Sequence, residues 1–375
     1  MDIAAIDQHY LCAQLSRLLN TPSPTGYTDE IIRATCAELT RLGVPHQLTR
    51  RGAIRARLQG RRRKPARALI AHLDTLGAQV KNLKNNGRCE IVPIGHWSAR
   101  FAEGARATLF TRHGSYRGTV LPLKASGHTF NEEIDTQPVA WSNLELRVDA
   151  RVKTASDLAA RGIAIGDFIA IDPRPEFLDN GFIVSRHLDD KAGVAVMLAA
   201  LKALKEKGQE PPVDTYFLFS IAEEVGVGAS TVLHGDIASL IAIDNGTTAP
   251  GQNSREFGVT IAMADATGPF DYHLTHKLID LAEENDIPYQ RDVFRYYRCD
   301  AASAVEAGND IRTALITFGV DASHGHERIH VAALLSLSRL VCAYALSEVE
   351  IERDAEELSS LQGFTHQPME EAEQE

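Results

Sequence analysis

Five short stretches gather the side chains that bind cations and move protons: His72-Leu73-Asp74, Ser185-Arg186-His187-Leu188-Asp189-Asp190, Ala222-Glu223-Glu224, Asp244-Asn245-Gly246 and Asp321-Ala322-Ser323-His324-Gly325-His326-Glu327. Neutral imidazole and carboxylate oxygen are the usual ligands of zinc where thiolate is absent. Two divalent ions about 3.5–4 Å apart need one carboxylate that reaches both, with separate ligands for each. Such a pair polarises a carbonyl and lowers the pKa of a shared water to about 7. A further carboxylate, free of metal, must then take the water's proton and hand it to the leaving amine. Adjacent glutamates at a strand end suit this division, because successive side chains point opposite ways. Glu223 can face the water while Glu224 binds metal. Asp74, two residues beyond His72, can receive the imidazole N–H and fix its tautomer. Each stretch alone also has an ordinary reading, as a His-x-Asp turn, a solvated acidic cap or an Asp-Asn-Gly turn.

What favours a site is where the stretches fall. In an open α/β sheet, ligand sites collect just beyond the carboxyl ends of strands. Apolar runs at residues 67–71, 215–221, 239–243 and 314–319 read as buried strands, and each leads into one of these stretches. Helical periodicity marks residues 5–19, a second helix opening at Thr28 and closing at Gly43, and helices near 191–207, 272–284, 300–307 and 331–348. A breaker cluster at residues 20–26 separates the first two. Strands alternating with helices imply a mostly parallel sheet covered on both faces. The strands at 52–58 and 67–71 are joined by a basic run, Gly60-Arg61-Arg62-Arg63-Lys64-Pro65, which reads as a solvated hairpin turn. Between residues 77 and 176 the pattern changes to short β-like pieces (108–111, 118–123, 143–148, 168–171) with one helix at 155–161, a small β-rich module. The acid-rich segment 354–375 is expected to fray.

The 375 residues carry 39 Lys and Arg against 50 Asp and Glu, a formal charge of −11. That balance lacks the basic stripe nucleic-acid binding requires, so no nucleic-acid partner is expected. The cysteines (Cys12, Cys36, Cys89, Cys299, Cys342) are scattered and form no CxxC pair, which argues against a disulfide framework or a thiolate zinc site. The amino end lacks a signal-peptide pattern, and no run of 18 apolar residues occurs. A soluble, cytoplasmic protein without a membrane partner is the expectation.

In this order and spacing, HLDTLG, SRHLDDKAG, SIAEEVGVGAS, LIAIDNG and SHGHERIH resemble the M42 family of dinuclear metallo-aminopeptidases. The resemblance spans nearly the whole chain, including VKNLKNNGRCEIVPIGHW and LAARGIAIGDFIAIDP, which look like that family's inserted domain. It implies a phosphorylase/hydrolase-like three-layer α/β/α catalytic domain (residues 1–76 and 177–375). An inserted small β-barrel, PDZ-like, at residues 77–176 would serve dimerisation. It further implies that His72, Asp189 and Asp244 hold one metal and that Asp189, Glu224 and His324 hold the other. Asp189 would bridge, Glu223 would act as general base, and Asp74 would orient His72. Two divalent ions per subunit (zinc foremost, cobalt or manganese otherwise), a short peptide substrate and a homo-oligomer, from a dimer up to a larger closed assembly, complete the implication. The chain departs from the family pattern at Thr75, where an acid is usual, at Lys191, commonly Arg, and around residues 322–327. Those changes touch the pocket wall and leave room for a modified dipeptide or N-acylated small amide, or for a non-catalytic metal-binding scaffold. His326 is an alternative ligand to His324. His330 is expected to cap the following helix, His187 to line the cleft or pack, and Asp300, after Cys299, to be a helix N-cap.

Overall fold

The first helix, Gln8–Leu19, starts where the Asp7 side chain accepts the Tyr10 N–H, and it buries Leu11, Leu15, Leu18 and Leu19 along one face. The second, Asp29–Arg41, has Thr28 at its N-cap without a side-chain bond, and Gly43 turns the chain out at φ +65°. A computed structural model describes residue 3 and residues 5–235, 237–349 and 351–369 of the chain. Among these no helix is long and apolar enough to cross a membrane.

The large sheet runs His46–Leu48, Ile54–Leu58, Val213–Ser220, Arg62–His72, Ile237–Thr248, Arg312–Asp321, Glu327–His330, Phe182–Ser185 and Glu176–Phe177, in that spatial order. Its centre is parallel: Val213–Ser220, Arg62–His72, Ile237–Thr248 and Arg312–Asp321 run the same way. The flanks are antiparallel, so the sheet is mixed rather than mostly parallel. Val259–Asp265, which the sequence reading passed over, adds antiparallel to Arg312–Asp321, and Tyr289–Val293 adds beyond it. Helix Leu188–Glu206 packs on the central strands and between helices Gln8–Leu19 and Val331–Leu346, which is why it is buried on nearly every side. Asp300–Glu306 packs on Ile237–Thr248 and Arg312–Asp321, and Asp29–Arg41 on Ile54–Leu58. The three-layer α/β/α arrangement follows.

Two local expectations fail here. The strands flanking the basic run are not a hairpin, because Val213–Ser220 lies between them. Strand Arg62–His72 begins inside the basic run, and Gly60, whose N–H reaches Asp214 Oδ1 at 2.9 Å, crosses over Val213 where a Cβ would overlap main chain. Arg61 and Arg62 pair with Glu348 and Glu352 at 2.7 and 2.9 Å. Nor does the strand before Asp244 stop there: it continues through Thr248, paired throughout with Arg312–Asp321.

Gly77–Leu83, Cys89–Ile94, Leu144–Val148, Gly114–Pro122, Arg106–Thr111 and Phe168–Ile171 close into an antiparallel barrel. Closure leaves no unpaired edge. Its core, including Val80, Ile91, Leu109, Val120, Leu146 and Ile169, is a cluster separate from that of the large sheet. Helix Ala155–Ala160 is opened by a capping box of Thr154 and Asp157.

Candidate active site

Parallel register sets the site. Ser220 pairs with His72 and Ala242 with Ile70, so two residues further on Asp244 stands level with His72 at the carboxyl edge. Asp189 comes from the first turn of the long central helix, where Asp189 and Asp190 depart from helical backbone angles. Glu223 and Glu224 follow strand Val213–Ser220. His324 comes from the loop after Arg312–Asp321, with a left-handed backbone at φ 62°.

Asp189 sits between the two imidazoles, its Oδ1 3.0 Å from His72 Nε2 and its Oδ2 3.2 Å from His324 Nε2. Glu223 Oε2 is 3.7 Å from His72 Nε2, and Glu224 Oε2 is 3.6 Å from His324 Nε2. Asn245 Nδ2 donates to Asp189 Oδ2 at 2.6 Å and to Asp244 Oδ1 at 3.2 Å. His72 Nδ1 lies 2.9 Å from the main-chain oxygen of Asp74, which can only accept, so the hydrogen is on Nδ1 and Nε2 faces the acids. This differs from the expected contact with the Asp74 carboxylate, which is 3.6 Å away. That carboxylate instead accepts the N–H groups of Glu223 and Glu224, at 3.1 and 3.3 Å, and the Thr25 hydroxyl at 2.7 Å. It therefore fixes the main chain of both glutamates.

The charges are crowded. Burial, then the neighbouring charge of Asp244, pushes the Glu223 carboxyl well above its ordinary range. Burial raises Glu224 and Asp244 to about 8, with Asp189 adding to both. At Asp189 burial also pulls upward, but hydrogen bonds from His324 and His72 prevail and hold it below the usual range. Burial disfavours charge on the imidazoles, yet Asp189 and the other acids raise His72 well above its normal value and His324 to about 10.

Such a set fits cations. His72, Asp189 and Glu224 offer donor atoms within 4.8 Å of one another, and so do His72, Glu223 and Asp244. Glu224 Oε1 is buried without a hydrogen-bond partner among the described residues, an orphan acceptor that a cation would satisfy. The structure brings together all seven residues singled out, His72, Asp74, Asp189, Glu223, Glu224, Asp244 and His324. His326 is exposed, whereas His324 Nε2 lies 3.2 Å from Asp189 Oδ2.

Glu327 is the member that sequence reasoning missed. Fully buried, it accepts the N–H groups of Leu188 and Asp189 through Oε2, at 2.8 and 3.2 Å, and that of His324 through Oε1 at 2.9 Å. One carboxylate thus ties two distant parts of the site. The barrel side contributes as well, since the His96 carbonyl lies 2.8 Å from His324 Nδ1 and orients its ring. His187 is buried, with Nε2 3.2 Å from the Ile171 carbonyl, and burial lowers it to about 3. His330 caps its helix by accepting the Ala332 N–H. Asp300 is not an N-cap: it is the first residue of its helix, and its carboxylate takes the Ser220 hydroxyl at 2.5 Å and the Ala229 N–H at 2.7 Å. A narrow cleft, with a cavity volume of only about 10 Å³, adjoins the cluster, lined by Trp97, Ile171, Arg186, Asp189, Glu224 and His324 among others.

Residues 52–340 match the M42 glutamyl aminopeptidase family. YhfE of Bacillus subtilis (strain 168) is 37% identical over 334 residues, 89% of this chain and 96% of that protein. A glutamyl aminopeptidase of Lactococcus lactis subsp. cremoris (strain MG1363) is 31% identical over 175 residues, 45% of this chain and 46% of its own length. Among solved structures, aminopeptidase APDkam598 from the archaeon Desulfurococcus kamchatkensis superposes with a TM-score of 0.83 at 22% identity, covering 94% of this chain and 98% of that one. The Pyrococcus horikoshii TET1 peptidase, described as able to assemble into a tetrahedron or a large octahedral shell, gives 0.80 at 22% identity over 90% of this chain and all of its own.

Proposed function

The chain belongs to the M42 glutamyl aminopeptidase family and is a peptidase, and from that premise we propose that it removes the N-terminal residue of short peptides with two divalent ions and Glu223 as general base. His72, Asp189 and Asp244 hold one ion; Asp189, Glu224 and His324 hold the other. When bound, ions of the zinc, cobalt or manganese type polarise the scissile carbonyl and make the attacking water acidic. Glu223 takes the water's proton and gives it to the leaving nitrogen. The observation that carries this reading is the split between neighbours: with both main chains held by Asp74, Glu223 Oε2 lies 3.7 Å from His72 Nε2 and Glu224 Oε2 lies 3.6 Å from His324 Nε2. Burial and the charge of Asp244 raise the Glu223 carboxyl, which makes it a stronger base toward the attacking water.

We place residues 77–176, the barrel, at a subunit contact and read the protein as a homo-oligomer. Val92, Phe101, Leu123, Val139 and Ile165 are exposed on this part of the chain, and the TET1 peptidase assembles into closed shells. The five cysteines are free, which suits a reducing compartment, and we place the protein in the cytoplasm. Relatives with a named activity are aminopeptidases, which favours free peptides over N-acylated amides.

The test is to strip the protein with chelator, restore Zn²⁺, Co²⁺ or Mn²⁺ singly, and assay free and N-acetylated peptides beside metal content. Metal-dependent release of free N-terminal residues is expected. Glu223→Gln should keep metal uptake and lose about 10²–10⁴-fold in kcat. An unchanged kcat in Glu223→Gln refutes its role.

A further inference from the structure

We propose that Arg186, with Arg174 beside it, forms a subsite for a substrate carboxylate next to the candidate metal ligands. This inference rests on the aminopeptidase reading above and adds the substrate class. Arg186 lines the same cleft as Asp189, Glu224 and His324, and it is half-buried. Among the described residues no ion pair or side-chain hydrogen bond satisfies its guanidinium. The acid that favours its charge is Glu327, whose two oxygens are already taken by three main-chain N–H groups. Arg174 makes matters worse, since its positive charge opposes that of Arg186. A half-buried guanidinium with donors not taken by the described residues and a like charge nearby is well placed to receive an anion.

The fork of N–H groups on Arg matches a carboxylate in two parallel bonds. Arg174 stands between Pro173 and Pro175 with a left-handed backbone at φ 50°, so the segment that carries it is stiff. It lines a second cavity, of about 350 Å³, that shares Ile171 and His187 with the cleft. Lys191 lines that cavity too, its Nζ bonded to the Thr21 carbonyl at 2.7 Å. The adjoining cavity thus carries Arg174, Lys191 and Arg117 against one acid, Asp172, which Arg117 already bonds at 2.8 Å, whereas the ligands themselves are acidic.

With the α-amine and scissile carbonyl at the ligands, we assign the adjoining cavity to the leaving portion of the peptide. Each residue spans at most about 3.6 Å, so the C-terminal carboxylate of a di- or tripeptide falls within reach of an Arg side chain. An acidic side chain presents the same chemistry, and the experiment separates the two.

We would measure kcat/KM for Ala-Ala, Ala-Ala amide and Glu-Ala amide with the metal-loaded parent, Arg186→Gln, Arg186→Lys and Arg174→Gln. The parent should favour Ala-Ala over its amide by roughly tenfold to a hundredfold, the value of a charge-assisted bond. Arg186→Gln should bring that ratio near one, with Arg186→Lys and Arg174→Gln between. If Glu-Ala amide is favoured instead and Arg186→Gln removes that preference, the subsite stands and the carboxylate is a side chain. A parent indifferent to carboxylates, or a preference that survives in Arg186→Gln, overturns the proposal. Calorimetric binding of Ala-Ala and its amide to the metal-loaded Glu223→Gln protein reads the subsite without turnover. Arg186-dependent discrimination there, with no peptide cleaved by the parent, would remove the aminopeptidase reading and keep the subsite. Cleavage without discrimination would do the reverse.

Discussion

Replacing Glu327 by Gln tests whether the site is held from behind. Its two oxygens accept three main-chain N–H groups, those of Leu188 and Asp189 on one side and of His324 on the other. Gln offers one acceptor oxygen and one NH₂. Whichever way the amide turns, an N–H at one end meets another donor. The smaller loss is one buried unsatisfied donor, about 1–3 kcal/mol. If this falls on the positions of Asp189 and His324, affinity for Zn²⁺ should drop by about tenfold to a hundredfold, the range for partners that orient metal ligands. Burial, with the charge of Asp189, raises Glu327 to about 8, so below that pH the parent's own carboxyl carries a proton and resembles the amide. The affinity ratio between parent and variant should therefore widen as pH rises from 6.5 to 8.5. Competition titration against a chromophoric chelator measures it, with urea unfolding of the stripped proteins as the control. A variant that binds Zn²⁺ within twofold of the parent across that range, while losing stability, would show that Glu327 only braces its loop.

Three further outcomes follow from the same contacts. In the stripped protein Glu224 and Asp244 titrate near 8 and His324 near 10, all above their ordinary values, so the folded state binds more protons than the unfolded one from about pH 5 to 9. Its thermal midpoint should fall as pH rises through that window, and added Zn²⁺ should raise the midpoint more at pH 8.5 than at pH 6; a pH-independent difference would contradict this. Asp300→Ala strips the partner from the buried Ser220 hydroxyl and leaves the Ala229 N–H only Ser303 Oγ at 3.1 Å and should cost about 1–3 kcal/mol, read as a lower urea midpoint at unchanged slope. Phe217→Ala, in the core of the large sheet, should cost about 3–5 kcal/mol in the same measurement while the folded fraction keeps its kcat.

How far the sequence could be read depended on the range of the interactions. His72, Glu223, Glu224 and Asp244 were legible because each lies at or next to a strand its own neighbours define, and the carboxyl edge of a parallel sheet is one place. The barrel was legible only as a change of pattern: period-2 pieces are short, and closure depends on pairings such as Gly77–Leu83 with Phe168–Ile171 across the whole insert. The supposed hairpin at Gly60 failed for the same reason, since the strand between its arms arrives 150 residues later, with Gly60 bonded to Asp214. Glu327 closed one of the five stretches, but nothing in the pattern gave it a role. A glutamate three residues after a histidine looks like any exposed loop acid until its burial is known.

The sequence by itself therefore determined the types of ligand and the strand ends from which they come, because hydrophobic periodicity and turn chemistry are local. Tertiary structure alone decided which oxygen faces which nitrogen. It sent the His72 Nδ1 hydrogen to a carbonyl, turned the Asp74 carboxylate to the main chain of two glutamates, made Glu327 a tie between Asp189 and His324, and left Arg186 without an ion pair among the described residues. Each of these is a choice among partners far apart in the chain, settled by which buried donors and acceptors must be satisfied together.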